Sequence, residues 1–451
     1  MNAATAIAPA APARRAPARD RARTMATLAA LLALAPLTAA VVAPAWLISL
    51  PLRRAPRAGA MTVLVSGGKM SKAGLIARAF ARAGHRVVLA ETAKYRLTGH
   101  RFSRAVDAFA VLPEPDAPDY ADALRAVVEA HGVDVYVPVC SPVASVHDSA
   151  AVPVLAPFCR TVHLDPATCE RVDDKHRFSE VARAKGLAAP KSYRITDPQQ
   201  VIDHDWLGET RPFIIKSIRY DAIRRLDLTR LPRPSRAETE SFVRGLPISE
   251  SNPWVMQEFI EGREYCTHGT VVDGRLTVHI ACESSPFQIN YAHDGRADMR
   301  DWVERFVDGT DMTGQISLDF IEAEDDGRLY AIECNPRTHS AITLFKGADG
   351  LAEAYLGARD TPLEPPADAR PTYWLAHELF RLVTGHGMPR RERLKTILRG
   401  RDAVFSWSDP LPFFMLHHVH IPSLLLRELR EGRGWHRIDV NIGKLVQAGG
   451  D

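Results

Sequence analysis

The sequence predicts a mixed fold, in which a parallel α/β unit precedes a largely antiparallel α+β unit. The first unit is indicated by the β-branched run 62–65, which is followed by an Ala-rich helical pattern and a second apolar run at 85–90. The second is indicated by alternating apolar residues on both sides of Asp273-Gly274, a dipeptide typical of β-hairpins. We therefore divide the chain into a leader (1–60), an α/β domain (61–165), a second domain (166–350) and a C-terminal extension (351–451).

The α/β domain is expected to open with a βαβ unit whose turn is rich in glycine. Ser66-Gly67-Gly68-Lys69 lies between the first strand and a helix that stops near Gly84, where phosphates often bind. The turn matches neither GxGxxG nor the P-loop pattern, so we interpret its glycines as a requirement of a tight turn. A helix at 120–131 and a buried strand at 133–139 complete the predicted domain.

The second domain is predicted to contain one helix and several strands. The helix is closed by Gly186, and two of the strand pairs surround Asp-Gly turns. The predicted elements cover residues 178–185, 213–216, 254–260, 267–272, 276–281, 316–321 and 329–334.

The charge distribution separates a basic leader from a mildly acidic body. Residues 1–60 hold eight Arg and one Asp, so the rest of the chain carries a net charge of −4. A general nucleic-acid binder would show basic stripes across the fold, and we therefore expect no nucleic-acid partner. The six cysteines lack CxxC spacing, which favours reduced, buried thiols over disulfides or a zinc site.

Residues 25–52 contain no charged side chain and are long enough to cross a bilayer as a helix. Pro36, Pro44 and Pro51 interrupt this stretch, which permits a kinked or re-entrant segment. Residues 1–24 are rich in Ala, Pro and Arg and are predicted to be disordered. A membrane anchor, a cleaved signal peptide and a translation start further along the chain all stay open as interpretations.

Three polar side chains are expected to meet on the last predicted strand pair. Asp319 lies in an apolar strand, where an unpaired carboxylate is costly. Glu333 and Asn335 are two residues apart, so they point to the same face of their strand. Oxygen ligands of this kind suit Mg²⁺, which completes its shell with water and nucleotide phosphates, and Arg337 would hold a phosphate bidentately. A structural ion pair would account for one acid, but not for three polar residues in this frame.

This strand pair, DF followed by ECNPR, resembles the metal-binding strands of the ATP-grasp superfamily. The resemblance implies a Rossmann-like pre-ATP-grasp domain followed by a two-lobed ATP-grasp domain. It also implies ATP and Mg²⁺ as cofactors, with Mn²⁺ as a substitute, and a ligase that forms C–N bonds. Because ATP is cytoplasmic, we expect a cytoplasmic catalytic body, associated with the membrane through residues 25–52.

Other superfamily positions are matched one at a time. Lys175 opens a helix ahead of the first lobe and resembles the first nucleotide-contacting lysine. Lys216 ends a strand and resembles the second, which reaches the phosphates. The run QEFIEGRE resembles the hinge between lobes, where the backbone around Glu258 and Ile260 would pair with adenine and Glu264 would accept from the ribose. The expected catalytic residues are Lys216 and Arg337.

One departure from the superfamily follows the second lysine. Many members carry a Gly-rich loop that covers the phosphates, whereas residues 217–225 contain no glycine and three Arg. Arginine side chains, rather than backbone amides, are therefore expected over the phosphates.

Several longer runs are similar to one branch of the superfamily, the ligases that make mycosporine-glycine. The resemblance extends from about Met25 to Val446 and includes LVSGGKM, YVPVCSPVAS, KSYRITDPQQVI, MQEFIEGREYCTH, FQINY, TGQISLDFI, AIECNPRTHSAIT and VNIGKLV. It implies that ATP drives the joining of glycine to 4-deoxygadusol through a phosphorylated enol, which yields mycosporine-glycine, ADP and phosphate. The alternative is an ATP-grasp carboxylate–amine ligase that acts on another substrate through an acyl phosphate.

Two polar runs are candidates for substrate contacts, and a polar loop with local hydrogen bonds is the equal alternative. The candidate residues are Ser284, Ser285, Gln288, Asn290, His339 and Ser340. Three further histidines, His417, His418 and His420, lie in an apolar stretch without a nearby acid or cysteine. That setting favours packing, or membrane-surface contact beside the leader, over a metal site.

Overall fold

The computed structural model describes most of the 451-residue chain. Within the described residues the strands form five sheets, and the two largest carry the polar residues of interest. The described ranges are 18–50, 59–139, 141–218, 224, 227–284, 290–385 and 388–447.

The leader forms a long helix, α1 (Ala18–Ile48), which continues through Pro36 and Pro44. The prediction of disorder is therefore wrong for residues 18–24. Trp435 accounts for the ordered first turns, since its indole nitrogen donates to Thr24 Oγ1 at 2.9 Å and Arg23 lies over its ring. Residues 1–17 and Pro51 lie outside the described residues.

The first domain contains the predicted parallel sheet. Its strand order, β3-β2-β1-β4-β5, places the reversal of winding between β1 and β4. Gly67 follows β1 with φ +70°, and a Cβ there would lie 2.1 Å from the carbonyl oxygen of Val139, so the tight-turn interpretation is confirmed. The elements are β1 (Thr62–Val65), α2 (Ser71–Arg82), β2 (Arg86–Thr92), β3 (Ala108–Leu112), α3 (Tyr120–His131), β4 (Val135–Val137), α4 (Ser145–Leu155) and β5 (Arg160–Thr161).

A small antiparallel sheet of order β6-β8-β7 follows. Its inner face packs around Phe213 and Trp254, both fully buried. Helix α6 begins at Lys175 because the Asp174 side chain accepts from the amides of the next turn. The elements are α5 (Pro166–Asp173), α6 (Lys175–Ala184), β6 (Ser192–Ile195), α7 (Pro198–Ile202), β7 (Phe213–Ser217), α8 (Arg236–Arg244) and β8 (Trp254–Glu258).

The next sheet is antiparallel, with strand order β10-β9-β12-β13. Its hairpin turns at Asp273 and Gly274, which both have positive φ, as the sequence predicts. Helix α9 packs on this sheet through Trp302 and Phe306, which stack on each other. The elements are β9 (Gly262–Val272), β10 (Arg275–Glu283), β11 (Asn290–Tyr291), α9 (Ala297–Val307), β12 (Gly314–Ala323) and β13 (Leu329–Asn335).

The C-terminal extension shares one hydrophobic core with the first domain. Trp374, Leu416 and Val440 belong to the same buried cluster as Val63 and Phe80. The extension also contributes two short sheets, β11-β14-β15 and β16-β17. Its elements are α10 (Leu351–Tyr355), β14 (Thr372–Tyr373), α11 (Leu375–Thr384), α12 (Arg390–Arg399), β15 (Arg401–Asp402), α13 (Leu411–Met415), α14 (Ile421–Glu431), β16 (Arg437–Asp439) and β17 (Lys444–Val446).

The three C-terminal histidines pack against neighbouring backbone, as predicted. Each donates a ring N–H to a carbonyl oxygen: His417 to Phe413, His418 to Leu31 and His420 to Gly443, at 2.7–3.0 Å. The bond to Leu31 also confirms that this stretch lies beside the leader. The five described cysteines are buried and free, as expected for reduced thiols, and Cys140 lies outside the described residues.

Candidate active site

The central feature of the site is a pair of carboxylates on neighbouring strands. Asp319 of β12 and Glu333 of β13 stand directly opposite each other in the antiparallel register, so both side chains lie on one face. The Asn335 side chain lies beside them, with its amide nitrogen 3.3 Å from Asp319 and 3.4 Å from Glu333. The sequence prediction that these three side chains lie close together is therefore confirmed.

The neighbouring carboxylates of Asp319 and Glu333 would repel each other if both were ionised, and the positive charge of Lys175 offsets this repulsion. The Lys175 ammonium lies 3.0 Å from a carboxylate oxygen of Glu333. This lysine lowers the pKa of Glu333 well below its ordinary value. Burial and the Glu333 charge together raise the pKa of Asp319. Burial opposes the charge of Lys175 itself, but Glu333 outweighs it and the pKa of Lys175 is raised.

Lys216 faces the same carboxylates from the opposite sheet. It lies in β7, near the strand's carboxyl end, and is partly buried. Burial lowers the pKa of Lys216, while Glu333, Asp319 and Glu264 act in the opposite direction. Two lysines and two acids thus meet where the two antiparallel sheets approach each other, an arrangement suited to a polyanion together with a cation.

The donor set fits a hard divalent cation that retains other ligands. Among the described residues, no three His, Cys, Asp or Glu side chains form a complete protein cage for a metal. Mg²⁺ in nucleotide sites is typically held by one or two carboxylates together with phosphates and water, and Asp319 and Glu333 meet that need. The Asn335 amide oxygen instead accepts from Arg337 at 2.5 Å, so Asn335 would have to turn its amide to act as an oxygen ligand.

A cavity of about 730 Å³ opens directly beside these groups. One wall is the carboxyl end of the parallel sheet, at the reversal of winding between β1 and β4, where ligands typically bind in open α/β sheets. A second wall carries Asp319, Glu333 and Arg337, and a third is the β16–β17 hairpin. The site thus has a charged end and an adjoining space large enough for a small molecule.

Comparison with known protein sequences finds partial matches to this chain. No protein-family model matches the chain. The chain is similar to the carbamoyl phosphate synthase large chain, C-terminal section, of Methanopyrus kandleri (22 % identical over 226 residues, 46 % of this chain and 40 % of that protein). It is also similar to the carbamoyl phosphate synthase large chain of Vibrio cholerae. The two are 22 % identical over 229 residues, which are 47 % of this chain and 20 % of that protein. The chain therefore spans less than half the length of these curated relatives.

Solved structures extend the similarity to most of the chain. N5-carboxyaminoimidazole synthetase from Staphylococcus aureus, complexed with ADP, matches with a TM-score of 0.52 and 15 % identity over 71 % of this chain and 82 % of its own. The biotin carboxylase domain of Hydrogenobacter thermophilus 2-oxoglutarate carboxylase, in a complex that includes MgADP, matches with a TM-score of 0.52 and 13 % identity. This match covers 67 % of this chain and 71 % of that domain's chain. Biotin carboxylase from Campylobacter jejuni matches with a TM-score of 0.52 and 11 % identity, over 68 % of this chain and 72 % of its own. The chain has the ATP-grasp fold.

The run predicted to be a hinge connects two of the antiparallel sheets. Glu258 ends β8, and Gly262 begins β9 in the other sheet, so the run between them links the two lobes. The amide of Glu258 donates to the Lys191 carbonyl at 2.8 Å and is therefore occupied. An adenine contact at Glu258 would have to use its carbonyl oxygen. Ile260 is buried and Glu264 is exposed near the start of β9.

The predicted substrate residues divide into two groups. His339 and Ser340 line the cavity, two and three residues after Arg337. Burial lowers the pKa of His339 to about 3, so its ring is neutral near pH 7 and offers a hydrogen bond rather than a charge. Ser284 and Asn290 do not line this cavity; the Asn290 amide lies 3.5 Å from Glu378 in the extension.

The remaining predictions fall on residues that the structure does not describe. Ser285 and Gln288 lie within 285–289, and most of the expected phosphate-covering segment lies within 219–223 and 225–226. Their assignments stay predictions.

Sequence reasoning missed the walls that lie far from the carboxylates in the chain. Lys69 follows the glycine turn and pairs with Glu91 at 3.2 Å at the cavity edge. Asn441 donates to Ser340 at 2.8 Å, and its amide oxygen is buried with no hydrogen-bond partner among the described residues. A signal for the first wall existed, because the glycine turn ends a parallel strand where ligands bind in this class of sheet. Polar residues in a short hairpin gave no comparable signal for the second.

Proposed function

We propose that the protein is an ATP-dependent ligase that forms a C–N bond through a phosphorylated intermediate. One observation carries the proposal: Asp319 and Glu333 line a cavity large enough for a small substrate, and two lysines, Lys175 and Lys216, interact with these carboxylates from outside its lining. A nucleotide triphosphate held at the charged end would place its terminal phosphate at the mouth of that cavity.

Each charged group has a distinct proposed part in this reaction. Lys175 and Lys216 would bind the phosphates, and Arg337 would stabilise charge on the transferring phosphoryl group. Asp319 and Glu333 would hold Mg²⁺, which when bound neutralises charge on the β- and γ-phosphates. Mn²⁺ offers the same charge to the same oxygen donors. Adenine would lie against the hinge at Glu258 and Ile260, with Glu264 at the ribose.

For the substrates we propose 4-deoxygadusol and glycine, with mycosporine-glycine as the product. The long runs shared with the ligases of that branch support this choice, and several of them lie on the cavity walls, including the Gly67 turn, the strand end before Arg337 and the Asn441 hairpin. A cyclohexenone enol is a vinylogous acid, so it suits a site built to phosphorylate a carboxylate-like oxygen.

The proposed reaction has two steps, phosphorylation of the enol and displacement of phosphate by the amine. The enol first loses its proton to solvent, as a vinylogous acid does. The resulting enolate oxygen attacks the γ-phosphorus of ATP, and the bond from phosphorus to the ADP oxygen breaks. The glycine amine then adds to the carbon that bears the phosphoryloxy group, the C–O bond breaks, phosphate leaves and the amine loses a proton. Lys216 and Arg337 act by electrostatic stabilisation of the transferring group, where charge is greatest.

Purified protein tests the proposal through ADP release and product mass. With Mg²⁺ and ATP, ADP should accumulate only when 4-deoxygadusol and glycine are both present, and mass spectrometry should detect mycosporine-glycine. Glu333→Gln should abolish turnover, whereas Glu324→Gln, an exposed acid at the turn of the same strand pair, should not. Full activity of Glu333→Gln would contradict the ligase proposal at this site.

A second candidate is a carboxylate–amine ligase that works through an acyl phosphate on another substrate. The partial similarity to carbamoyl phosphate synthases favours it, because those relatives are named for a phosphorylated carboxyl compound. ADP release with a carboxylic acid and an amine, but not with 4-deoxygadusol and glycine, would select this candidate.

A further inference from the structure

Helix α1 packs against the body along its whole length. Its buried and partly buried residues recur every three or four positions, the spacing of one helix face. The same face is therefore in contact from the first turn of the helix to the residue just after its last turn. The residues of this stripe are Asp20, Thr24, Thr27, Leu28, Leu31, Ala35, Thr38, Ala39, Val42, Ala45 and Ser49.

Polar contacts fix the helix at both ends and near its middle. Near the start, the Trp435 indole donates to Thr24 at 2.9 Å, and further along, His418 donates to the Leu31 carbonyl at 3.0 Å. Near the end, Arg104 donates to the Trp46 carbonyl at 2.7 Å and to Ser49 Oγ at 2.9 Å. These bonds join α1 to both the first domain and the C-terminal extension.

This docking is incompatible with a helix that crosses a bilayer. Thr24 and Ser49 are separated by about 38 Å of helix at ~1.5 Å per residue, whereas the hydrocarbon core is only about 30 Å thick. If the docked helix spanned the core, the body beside it would have to enter the hydrocarbon. Arg104 and the His418 ring would then be carried in with it, which is costly for charged and polar groups.

The opposite face of α1 is apolar and uncovered. Only 6 % of the residues in its most apolar 18-residue window are buried, although that window has a mean hydropathy of 2.2. A continuous apolar strip of this length is unusual on a soluble surface and marks a contact with another apolar phase. The large side chains on it are Met25, Leu32, Leu34, Leu37, Val41, Leu47, Ile48 and Leu50, with exposed fractions of 47–77 %.

The surroundings of the strip match the surface of an anionic membrane. A groove of about 1420 Å³ runs between α1 and the extension, and Trp407, 69 % exposed, lies on it, as aromatic residues do at membrane interfaces. Arg19 and Arg21 are exposed at the start of α1. In the sequence, three more Arg follow the helix within residues 53–57. Arginines that flank both ends of the apolar stretch suit a helix whose two ends face the same layer of headgroups.

We propose that α1 is an in-plane membrane anchor: it stays docked on the body, and its exposed face enters the headgroup and upper acyl region of a bilayer that contains anionic lipid. The catalytic body then lies on the membrane surface, and both ends of α1 are on the same side of the membrane.

Vesicle flotation of the full-length protein tests the attachment. The protein should float with phosphatidylcholine vesicles that contain phosphatidylglycerol, and bind at least several-fold less to phosphatidylcholine alone. The double substitution Leu32→Gln/Ile48→Gln removes two of the most exposed side chains of the strip and should weaken binding about tenfold or more. Val146→Gln/Leu207→Gln removes two exposed apolar residues of the body as a matched control and should leave flotation unchanged. Equal flotation of both double variants, or none for the unmodified chain, would overturn the proposal.

Cysteine labelling separates an in-plane helix from a spanning one. Ala22→Cys and Leu50→Cys place thiols near the two ends of α1, at exposed positions. In sealed vesicles from expressing cells, a membrane-impermeant maleimide should label both variants from the side that carries the body, above the background of the unmodified protein. Labelling of the two ends from opposite sides would refute the in-plane arrangement. Light scattering that shows a dimer, without vesicle binding, would assign the strip to contact with a second copy of the chain. Recovery of a chain that lacks α1 would identify α1 as a cleaved segment. Either result would also refute the in-plane anchor.

Discussion

Replacement of Arg78 by Met tests how the C-terminal extension is held on the first domain. The Arg78 guanidinium lies 2.7 Å from the Asp409 carboxylate and donates to the carbonyls of Val404 and Asp409 at 3.0 and 3.1 Å. Both side chains are almost fully buried. Asp409 also accepts from Ser103 Oγ at 2.6 Å and from the amide of Arg104 at 3.1 Å.

The expected loss follows from what Arg78→Met leaves behind. At 2.7 Å and an effective dielectric constant of ~20, the attraction between the charges is about 6 kcal/mol. The desolvation of both groups offsets part of this, and removal of one partner from a buried pair typically costs 3–5 kcal/mol. Because Asp409 keeps its bonds to Ser103 and Arg104, we expect about 3 kcal/mol, the lower end of that range.

Urea unfolding followed by circular dichroism, together with hydrogen exchange of residues 401–409, measures the effect. Arg244→Met removes the exposed pair with Glu240 and is the matched control, for which we expect less than 1 kcal/mol. The variant Arg78→Met/Asp409→Asn should recover part of the loss, since no buried carboxylate remains uncompensated. A loss at Arg78→Met no larger than that of the control would refute this account of the buried pair.

The pH dependence of the same variant supplies an independent check. Burial alone would raise the pKa of Asp409, but Arg78 and Ser103 outweigh it and the pKa is lowered. A group whose pKa is lower in the folded state contributes stability above its unfolded pKa of about 4 and loses it as the pH falls through the folded value. The deficit of Arg78→Met should therefore be full near pH 7 and shrink in acid.

Three further outcomes are expected. Gly67→Ala should lose about 2 kcal/mol or more in urea unfolding, because the new Cβ would lie 2.1 Å from the Val139 carbonyl at φ +70°; an unchanged stability would contradict the tight turn. Lys216→Met should lower kcat/KM for ATP by about 100-fold or more with the circular dichroism spectrum retained, and near-normal kinetics would remove Lys216 from the phosphate site. Burial raises the pKa of the Cys169 thiol to about 11, so at pH 8 this thiol should resist Ellman's reagent until denaturant is added; rapid labelling in buffer would show that it is accessible.

The central strand pair was predictable because its information is local. Alternation along β13 places Glu333 and Asn335 on one face, and the hairpin pattern brings Asp319 beside them. The same reasoning predicted the strand at 213–216, which matches β7 to within one residue. Each of these predictions needed only a few neighbouring residues and the period of a strand or helix.

The features that the sequence did not predict depend on distant packing. Helix α1 continues through Pro36 and Pro44 and is held by docking to Trp435 and His418, which lie about four hundred residues later in the sequence. Asn290 turns toward Glu378 because β11 pairs with β14 of the extension, a partner that no local pattern indicates. Side-chain direction at such positions is fixed by tertiary contacts.

The β16–β17 hairpin also has a consequence for the order of assembly. Ser71, at the start of α2, bonds to the backbone of Val440 across 369 residues of sequence, and a Cβ on Gly443 would lie 2.3 Å from the Lys69 carbonyl. Contacts this remote in sequence form late, because the loop between them must close first. During synthesis the parallel sheet emerges long before the hairpin, so in the nascent chain one wall of the cavity has not yet formed. A chain stopped before residue 437 would keep Asp319, Glu333 and both lysines yet lack one wall of the cavity.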